Sequence, residues 1–428
     1  MLNDWMFWLS SQHPEELCKL FGGLLLIDAP RYALSRLLMC LWDVAAVLVR
    51  SLCANPSSDR YTHCPSVCVI LAGHNEGSTI EATLASVYGS YPSLQIIVVD
   101  DGSLDDMSAR ARRFAQLHPD VLVLRRPRRG GKSSAMNSAL PYTRAEIVMS
   151  IDADSELGSS AIWEIVQPFA DPRIGIVSAT ILARNPWVNL ITWLQAYEYL
   201  HSIFIGRMVS ERLGVLGIAS GAFAAIRREV LLKVMAWDVG PPEDLDLTLR
   251  VRKAGWRIAF APYAICITDL PTSWKGLVRQ RLRWDQGAVV RNHLRKHVDL
   301  GAIWSRNFRW RDFPLMLDNW FFQFACPYFI AAYLVWIAID PPANFLYVAV
   351  SWYLATVVFE LVQVVVLFFY STQALHDLVT CAVFPLMPLY QLLMLGVRVV
   401  ANTQELVSRK SFRDNYVPEH VRRVTWHW

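Results

Sequence analysis

Four short apolar runs in the first third of the chain each end in polar or acidic residues, and this pattern constrains the fold most strongly. The runs are Ser66–Leu71, Gln95–Val99, Val121–Leu124 and Glu146–Ile151, and a helical pattern covers residues 79–88 between the first two. Strand-length apolar runs that alternate with helices predict an α/β domain with a mostly parallel sheet. Ligands bind beyond the carboxyl ends of the strands in such sheets, so the polar residues there are site candidates.

The fourth run leads into two carboxylates, Asp152 and Asp154. Side chains two residues apart on an extended chain point to the same side, so we expect both carboxylates to face one ligand. Hard oxygen ligands suit Mg²⁺ or Mn²⁺, with phosphate oxygens completing the coordination shell. A solvated turn is the alternative interpretation of this triplet taken alone.

The third run leads into Gly130-Gly131-Lys132. A glycine turn at the start of a helix can present backbone N–H groups and an ammonium group to phosphates. The spacing is not that of a P-loop, and a solvated loop lysine is the alternative for Lys132.

Four motifs then occur in a fixed order, and together they resemble those of one family. They are Asp100-Asp101-Gly102, Asp152-Ala153-Asp154, Glu243-Asp244 and Gln280-Arg281-Leu282-Arg283-Trp284. The chain resembles the membrane-integrated, processive family 2 glycosyltransferases, which include cellulose, chitin, hyaluronan and poly-N-acetylglucosamine synthases. The resemblance covers roughly residues 60–300 by motifs and the flanks by hydropathy. It implies a GT-A, Rossmann-like α/β domain in the cytosol with flanking transmembrane and interfacial helices.

The resemblance also implies roles for particular residues. Asp244 would act as the general base in catalysis, together with Glu243, and Asp152 and Asp154 would bind the metal, Mg²⁺ or Mn²⁺. Gln280 and Trp284 would bind the acceptor. The residues expected to bind the nucleotide sugar are Asn75, Glu76, Asp100, Asp101, Lys132, Asp152 and Arg283.

Each of these roles has a structural alternative. Asp101 with Gly102 also fits a simple turn, and Asp244 also fits a helix N-terminal cap. The stretch Ser273–His297 also fits an amphipathic helix on a membrane surface. The chain departs from the family pattern at Gly73-His74, where a proline and an aromatic residue usually stand, and at Pro242, where threonine is usual.

The implied reaction is inverting, processive transfer of a sugar from a UDP-sugar to a growing β-linked extracellular polysaccharide at the cytosolic membrane face. The motif from Gln280 to Gly287 is nearest to that of the bacterial poly-N-acetylglucosamine synthases, which favours N-acetylglucosamine, with glucose next. Two alternatives are a transferase that adds one sugar to polyprenyl phosphate and a non-catalytic membrane subunit. The implied partners are the donor, the polymer, the lipid bilayer and a possible small helper subunit.

Composition agrees with a membrane enzyme. Apolar residues make up 54% of the chain, which has 17 Trp and a mean hydropathy of +0.27; few soluble proteins of this length are so apolar. The net charge of +4 is too small to indicate nucleic-acid binding. The eight Cys show no zinc-ligand spacing, and reduced thiols fit the cytosol.

Hydropathy divides the chain into four parts. We predict an N-terminal interfacial segment and transmembrane helix in residues 1–55, the transferase domain in 60–300, a membrane region with two or three spans in 314–400, and a basic tail in 401–428. The first residues lack the pattern of a cleaved signal peptide. Three long apolar stretches lie in the membrane region, at about residues 314–338, 345–369 and 377–400. Glu360, inside the second of them, either lines a polar path or reaches the lipid headgroups by snorkelling.

Charge predicts the orientation of these spans. Nine Lys and Arg lie between Arg279 and Arg311, just before the first C-terminal stretch, which favours the cytoplasmic side for the transferase domain. The basic tail favours the same side, yet three crossings would place it outside. A re-entrant or interfacial third stretch, interrupted by Pro385 and Pro388, resolves this conflict. We therefore expect a multi-pass protein of the bacterial inner membrane.

Overall fold

The computed structural model describes residues 2–13, 31, 33–53, 61–238, 242–341, 344–413 and 417–423. The predicted interfacial segment Leu20–Ile27 and most of the linker after residue 53 lie outside them. The chain divides into two compact units. The helical unit comprises Met1–Ser58, Pro186–Val209 and Cys326–Gly396, and the sheet unit comprises Asp59–Asn185, Ser210–Ala325 and Val397–Trp428.

An eight-stranded sheet forms the centre of the sheet unit, with the order β3-β2-β1-β4-β7-β6-β8-β5. Its strands are β1 Val67–Gly73, β2 Leu94–Asp100, β3 Val121–Arg125, β4 Ile147–Asp152, β5 Glu156–Leu157, β6 Ile174–Ala183, β7 Phe223–Arg227 and β8 Arg257–Thr268. The first four strands correspond to the four apolar runs of the sequence. The central residues of β1, β2 and β4 are buried, whereas those of the edge strand β3 are partly buried. Continuous apolar strands of this kind require cover on both faces.

The prediction of a mostly parallel sheet is confirmed, because six of the eight strands run in one direction: β6 and β8 pair in parallel and, like β1 to β4, lie in the direction opposite to β7. Strands β1 to β4 pair in parallel. Strand β7 then runs antiparallel to both β4 and β6, and β5 runs antiparallel to β8. The sheet is therefore mixed, and the reversal at β7 brings the amino end of that strand to the carboxyl end of β4.

The helices of the sheet unit cover this sheet and extend beyond it. They are Ile80–Val87, Met107–Leu117, Lys132–Ala139, Ala161–Val166, Arg228–Lys233, Glu243–Lys253, Trp274–Asp285, Phe313–Asp318 and Glu419–Arg422, with π-helical segments Gln286–Lys296 and Asn319–Ala325. Short 3₁₀ helices cover Leu140–Tyr142, Gln167–Ala170, Val298–Leu300 and Lys410–Arg413.

The helical unit contains Leu2–Ser11, Ser35–Cys53, Leu190–Glu198, the π-helical Tyr199–Ile205, Cys326–Ile339, Phe345–Tyr370, Ala374–Cys381 and the 3₁₀ turn Phe384–Leu386. Two helices, Gly206–Arg212 and Met387–Ser408, begin in this unit and end in the sheet unit. Among the described residues, three helical stretches are long and apolar enough to cross a membrane: Phe313–Ile339, Phe345–Tyr370 and Ala374–Ser408. They coincide with the three apolar stretches of the sequence.

The N-terminal transmembrane prediction has a different outcome. The helix Ser35–Cys53 forms, but it is not one of the three membrane-length apolar helices. Charged residues at positions 36, 43 and 50 interrupt it. Its crossing of the membrane therefore remains a prediction.

Glu360 is buried inside the helical unit and does not lie at a helix end. Its carboxylate accepts hydrogen bonds from the Tyr197 hydroxyl at 2.6 Å and from Nε2 of Gln391 at 2.8 Å. The snorkelling alternative does not fit this position, since the side chain is held by partners from two other helices.

Candidate active site

The sheet gathers the predicted site residues at one edge. In register, Gly73 of β1 lies opposite Asp100 of β2, and Ala72 lies opposite Asp152 of β4. The carboxyl ends of three neighbouring strands therefore lie side by side, each followed by acidic or amide residues. This is the edge at which open α/β sheets bind ligands.

The Asp152-Ala153-Asp154 triplet does not continue as an extended chain. Strand β4 ends at Asp152, and the chain turns at once, because the Ser155 N–H donates to the Asp152 carbonyl at 3.1 Å. Strand periodicity, the predicted reason for both carboxylates to face one ligand, is therefore wrong, because Asp154 lies in the turn and not on the strand. Arg184, which the sequence did not single out, holds the turn by donating to the Asp154 carbonyl at 3.0 Å.

Acidic groups crowd together at this turn without enough positive charge to balance them. Burial, with the nearby carboxylates of Asp154, Asp152 and Asp105, raises the pKa of Glu76 to about 7. Burial and Asp152 likewise raise the pKa of Asp154. Crowded carboxylates of this kind are stabilised by a bound cation.

The donor set fits Mg²⁺ or Mn²⁺ in part. Asp152 and Asp154 supply oxygen ligands of the kind that these ions prefer. Among the described residues, no group of three or more His, Cys, Asp or Glu forms a complete metal site. The two carboxylates would therefore need oxygens from another molecule, such as a diphosphate, to complete the shell.

Lys132 lies at the centre of this edge. It is the first residue of the helix Lys132–Ala139, and its ammonium contacts the carboxylate of Asp152, the carbonyl of Gly221 at 3.0 Å and Glu243 at 3.7 Å. Burial alone would lower the pKa of Lys132, but the carboxylates of Asp152 and Glu243 outweigh it and raise that pKa. Lys132 is therefore a charged, partly buried group and not a solvated loop lysine.

Glu243 and Asp244 occupy the first turn of the helix Glu243–Lys253. Asp244 accepts hydrogen bonds from the backbone N–H groups of Gly221 and Leu245, both at 2.8 Å. Pro242, and not Asp244, is the N-cap residue, and it makes no side-chain cap. Burial, reinforced by Asp244 and opposed by Lys132, raises the pKa of Glu243.

Gly221 is a site residue that the sequence did not reveal. A Cβ atom there would lie 3.3 Å from both the Asp244 carboxylate and the Lys132 ammonium. Its backbone N–H and carbonyl bond these two side chains directly. No local signal identifies this glycine, because its place depends on the reversal of the chain at β7.

The Asp100-Asp101-Gly102 turn is built around buried carboxylates. Asp101 accepts from the N–H groups of Gly130 and Gly131 at 2.7–3.0 Å and from Arg126 at 3.0 Å. The glycine N–H groups that the sequence assigned to phosphates therefore bind Asp101. Asp100 accepts from the Ser103 N–H at 2.7 Å, and Gly102 has the positive φ of a turn.

Asn75 and His74 lie beside that turn. Asn75 has a φ of +63°, which is uncommon for a residue other than glycine. Its N–H donates to Ser103 Oγ at 2.9 Å, and its side-chain oxygen accepts from the Leu104 N–H at 2.8 Å. The departure from the family pattern at Gly73 has a packing reason, since a Cβ there would lie 2.6 Å from Met107 and 2.8 Å from Ala153.

The Gln-x-x-Arg-Trp motif lies on the helix Trp274–Asp285, whose N-cap is Ser273. Trp284 is 36% exposed, and the guanidinium of Arg281 stacks over its ring at 4.5 Å. Gln280 and Arg283 are partly buried. The helix therefore presents an aromatic ring and basic groups, as acceptor binding requires, but the described contacts do not join them to Asp152 or Asp244.

Comparison with known proteins agrees with this geometry. Residues 65–287, a little over half of the chain, match the family described as glycosyltransferase like family 2. The poly-β-1,6-N-acetyl-D-glucosamine synthases of Staphylococcus aureus and Staphylococcus epidermidis are each 29% identical over 221 residues, which is 51% of this chain and 53% of theirs. The chain thus spans about half the length of the curated relatives it matches.

A solved structure has a similar fold. It is the mannosyltransferase from Pyrobaculum calidifontis in complex with GDP-Man and Mn²⁺, with a TM-score of 0.60, 24% identity, and coverage of 91% of this chain and 99% of that chain. The predicted GT-A, Rossmann-like fold is thereby confirmed. The ordered motifs, the mixed sheet and the family match together establish that this chain is a glycosyltransferase of family 2.

Proposed function

We propose that the protein transfers a sugar, with inversion, from a UDP-sugar to a growing β-linked polysaccharide at the cytosolic face of a bacterial inner membrane. The observation that carries the proposal is the convergence of Lys132, Asp152, Glu243 and Asp244 around Gly221. This cluster combines a cation, a carboxylate for a metal–diphosphate complex and a partly buried pair of carboxylates that can serve as acid and base. Those are the groups that sugar transfer from a nucleotide needs.

The chain's own residues have separate parts in the proposed reaction. Asn75, Glu76, Asp100 and Asp101 form the wall on which the nucleoside binds. Lys132 and Arg283 balance charge on the departing diphosphate, with arginine suited to paired phosphate contacts. Mg²⁺ or Mn²⁺, held by Asp152 and Asp154, would neutralise the leaving group when bound.

Asp244 is the proposed general base. Its carboxylate is already oriented by two backbone N–H donors, so it is held in place before the acceptor binds. It would take the proton from the acceptor hydroxyl as that oxygen attacks the anomeric carbon. Displacement in one step inverts that carbon, so an α-linked donor gives a β-linked product. Gln280 and Trp284 hold the acceptor sugar.

The favoured donor is UDP-N-acetylglucosamine, supported by the similarity to poly-N-acetylglucosamine synthases over half the chain. UDP-glucose is the next candidate. The candidate spans of the C-terminal region support growth of the polymer at a membrane, with the lipid bilayer and a small helper subunit as the proposed partners.

A donor panel tests this proposal. Purified protein in nanodiscs is incubated with Mn²⁺ and radiolabelled UDP-N-acetylglucosamine, UDP-glucose or GDP-mannose, and products are sized and extracted into organic solvent. We expect long, water-soluble product from UDP-N-acetylglucosamine. Label confined to the organic phase would indicate transfer to polyprenyl phosphate and contradict the proposal. Absence of turnover with every donor would indicate the non-catalytic alternative.

A further inference from the structure

Two residues that precede Glu243 in the chain, Met235 and Ala236, are held in a strained conformation. Met235 and Ala236 have φ values of +65° and +57°, a region that side-chain-bearing residues rarely adopt. Such strain persists only where surrounding contacts hold it, and it concentrates at functional sites. The helix Arg228–Lys233 fixes part of this turn, because the Ala236 N–H donates to the Leu231 carbonyl at 2.8 Å.

Side chains from two other helices hold the same segment. Asn137 bonds both backbone groups of Trp237, accepting from its N–H at 3.1 Å and donating to its carbonyl at 2.7 Å. Arg250, on the helix that carries Glu243, donates to the Val234 carbonyl. The backbone of residues 234–237 is therefore held by contacts from three helices.

Lys296 forms an ion pair with one residue on each side of Glu243-Asp244 in the chain. Its ammonium lies 2.5 Å from the carboxylate of Asp238 and 2.7 Å from that of Asp246. Asp238 precedes Glu243-Asp244 in the chain and Asp246 follows it. The Lys296 and Asp246 side chains are almost fully buried, so their ion pair is weakly screened by salt, whereas Asp238 is half-exposed.

Asp246 completes a charge-balanced cluster. It also accepts from Arg250 Nε and from His297 Nε2, both at 2.8 Å. Burial, which outweighs the hydrogen bond to Asp246, lowers the pKa of His297, so this ring acts as a neutral donor. Two carboxylates therefore face two permanent cations, Lys296 and Arg250, and removal of Lys296 leaves the cluster with one negative charge in excess.

Lys296 also ends the π-helical segment Gln286–Lys296, which continues the helix carrying the Gln-x-x-Arg-Trp motif. From these contacts we infer that Lys296 is a positioning residue. It clamps residues 238 and 246 so that Asp244 keeps its place beside Gly221, and it links that placement to the acceptor-binding helix. The inference rests on the proposed role of Asp244 as base.

The test compares Lys296→Met with Lys296→Arg. Methionine keeps the length of the side chain and removes its charge, whereas arginine keeps the charge. We expect Lys296→Met to lower kcat about 10–100-fold, because small misplacements of a catalytic group have effects of that size. Donor KM should stay within about twofold, since the nucleotide-binding wall is untouched. Lys296→Arg should recover most of kcat.

Lys253→Met is the matched control. Lys253 is the last residue of the helix Glu243–Lys253 and pairs with Asp299 at 2.6 Å. Its replacement therefore removes an ion pair but leaves the contacts of Asp238 and Asp246 in place. Equal losses of kcat in the Lys253 and Lys296 variants would overturn the inference, because they would indicate general destabilisation. Unchanged kcat in Lys296→Met would also overturn it.

A second measurement keeps the inference separate from the proposed function. Hydrogen exchange of the backbone amides in residues 234–238 and 243–247 needs no turnover. The clamp predicts faster exchange there in Lys296→Met and in Asp238→Asn, a milder variant at a half-exposed site, but not in Lys253→Met. Wild-type protein with no turnover on any donor would refute the proposed function, whereas unchanged exchange in both clamp variants would refute the clamp.

Discussion

Single residues at the sheet edge with a proposed role in binding or catalysis also support the architecture. Asp101 and Asp244 both have carboxylates occupied by backbone N–H groups of other segments. Asp101 fixes the Gly130-Gly131 turn, and Asp244 fixes the approach of Gly221. Substitutions at such residues change structure and chemistry together, so informative variants are those that keep the hydrogen bonds and remove only the charge.

Asp244→Asn comes close to such a variant. Its amide oxygen can still accept from the Gly221 N–H, although the hydrogen bond from the Leu245 N–H is lost, and the side chain can no longer take a proton. We expect kcat to fall about 10²–10⁴-fold, the usual contribution of a general base. Thermal stability and UDP binding should be close to those of the wild type. Near-normal turnover in Asp244→Asn, with lowered stability in Asp244→Ala, would mean that the residue only supports the helix start.

Glu76 predicts a pH dependence of stability in the metal-free protein. Its folded-state pKa of about 7 lies above the ordinary value of 4.5, so folding favours the protonated form. The stabilisation is complete below the unfolded-state pKa and is lost as pH rises from about 4.5 through about 7. Glu76→Gln stays neutral, so we expect its melting temperature to exceed that of the wild type at pH 8.

The control for this comparison of melting temperatures is the same comparison at pH 4. At pH 4 the two proteins should melt at similar temperatures, because wild-type Glu76 is then protonated as well. Mn²⁺ should narrow the difference at pH 8 if Asp152 and Asp154 bind it, since the cation offsets the crowded charge. A difference between the proteins that is equal at both pH values would contradict the assignment to Glu76.

At the scale of elements, the sequence predicts β1 to β4 well, because each is a continuous apolar run that ends at an acidic or polar residue. It says little about β6, β7 and β8. The direction of β7 is set by pairing with β4 and β6, which no local pattern records. For the same reason Gly221, Arg126 and the turn after Asp152 were not predicted, since their roles arise from segments distant in the chain.

Asp312→Asn tests how the helix Glu243–Lys253 is anchored. Arg252 on this helix donates to Asp312 at 2.7 Å, and both side chains are almost fully buried. Loss of the carboxylate leaves a buried guanidinium charge without compensation, which typically costs about 3–5 kcal/mol. Its bonds to the Gly214 and Leu216 carbonyls remain, so we expect the lower end of that range.

Denaturant unfolding in detergent measures this effect. Asp299→Asn is the control, because Asp299 pairs with Lys253 at a more exposed position, where such pairs contribute about 0–1 kcal/mol. Equal costs for the two variants would mean that the Arg252–Asp312 pair is not a special anchor of the helix.

Trp284→Ala tests the acceptor-binding helix. The variant removes the exposed ring that is proposed to stack on the acceptor sugar. It changes none of the residues that are proposed to bind the nucleotide. We expect shorter product and lower polymer yield, with UDP affinity unchanged. Trp274→Ala is the matched control, since Trp274 is a similarly exposed tryptophan on the same helix. Long polymer made at the wild-type rate by Trp284→Ala would assign that residue to the membrane surface instead.

At the scale of the whole molecule, the structure bears on the conflict between three apolar stretches and a basic tail. The end of the third stretch, Val397–Ser408, belongs to the sheet unit. There Gln404 accepts from Gln286 at 2.8 Å and Asn402 donates to the Gln323 carbonyl at 3.1 Å. Further along, Phe412 lies under the guanidinium of Arg291. The start of the tail thus packs on the transferase domain.

This packing predicts an even number of crossings between the transferase domain and the tail. Phe313–Ile339 and Phe345–Tyr370 would cross in opposite directions, and Ala374–Ser408 would begin and end on the cytosolic side. That arrangement is the re-entrant or interfacial third stretch that the charge distribution favours. The short segment between the first two helices would then be the only part of residues 279–413 exposed outside.

Single cysteines placed in a cysteine-free variant test the topology. Cysteines replacing Arg306, Pro341 and Lys410 would be labelled in intact cells by a thiol reagent that does not cross the membrane, and again after lysis. We expect labelling in intact cells at position 341 only, because residues 306 and 410 share the cytosolic side. Labelling of position 410 in intact cells would mean that the third stretch spans the bilayer, and that the contacts of Gln404 and Phe412 do not form in the membrane-inserted protein. Labelling of position 306 would instead reverse the whole orientation and place the transferase domain away from its cytosolic donor.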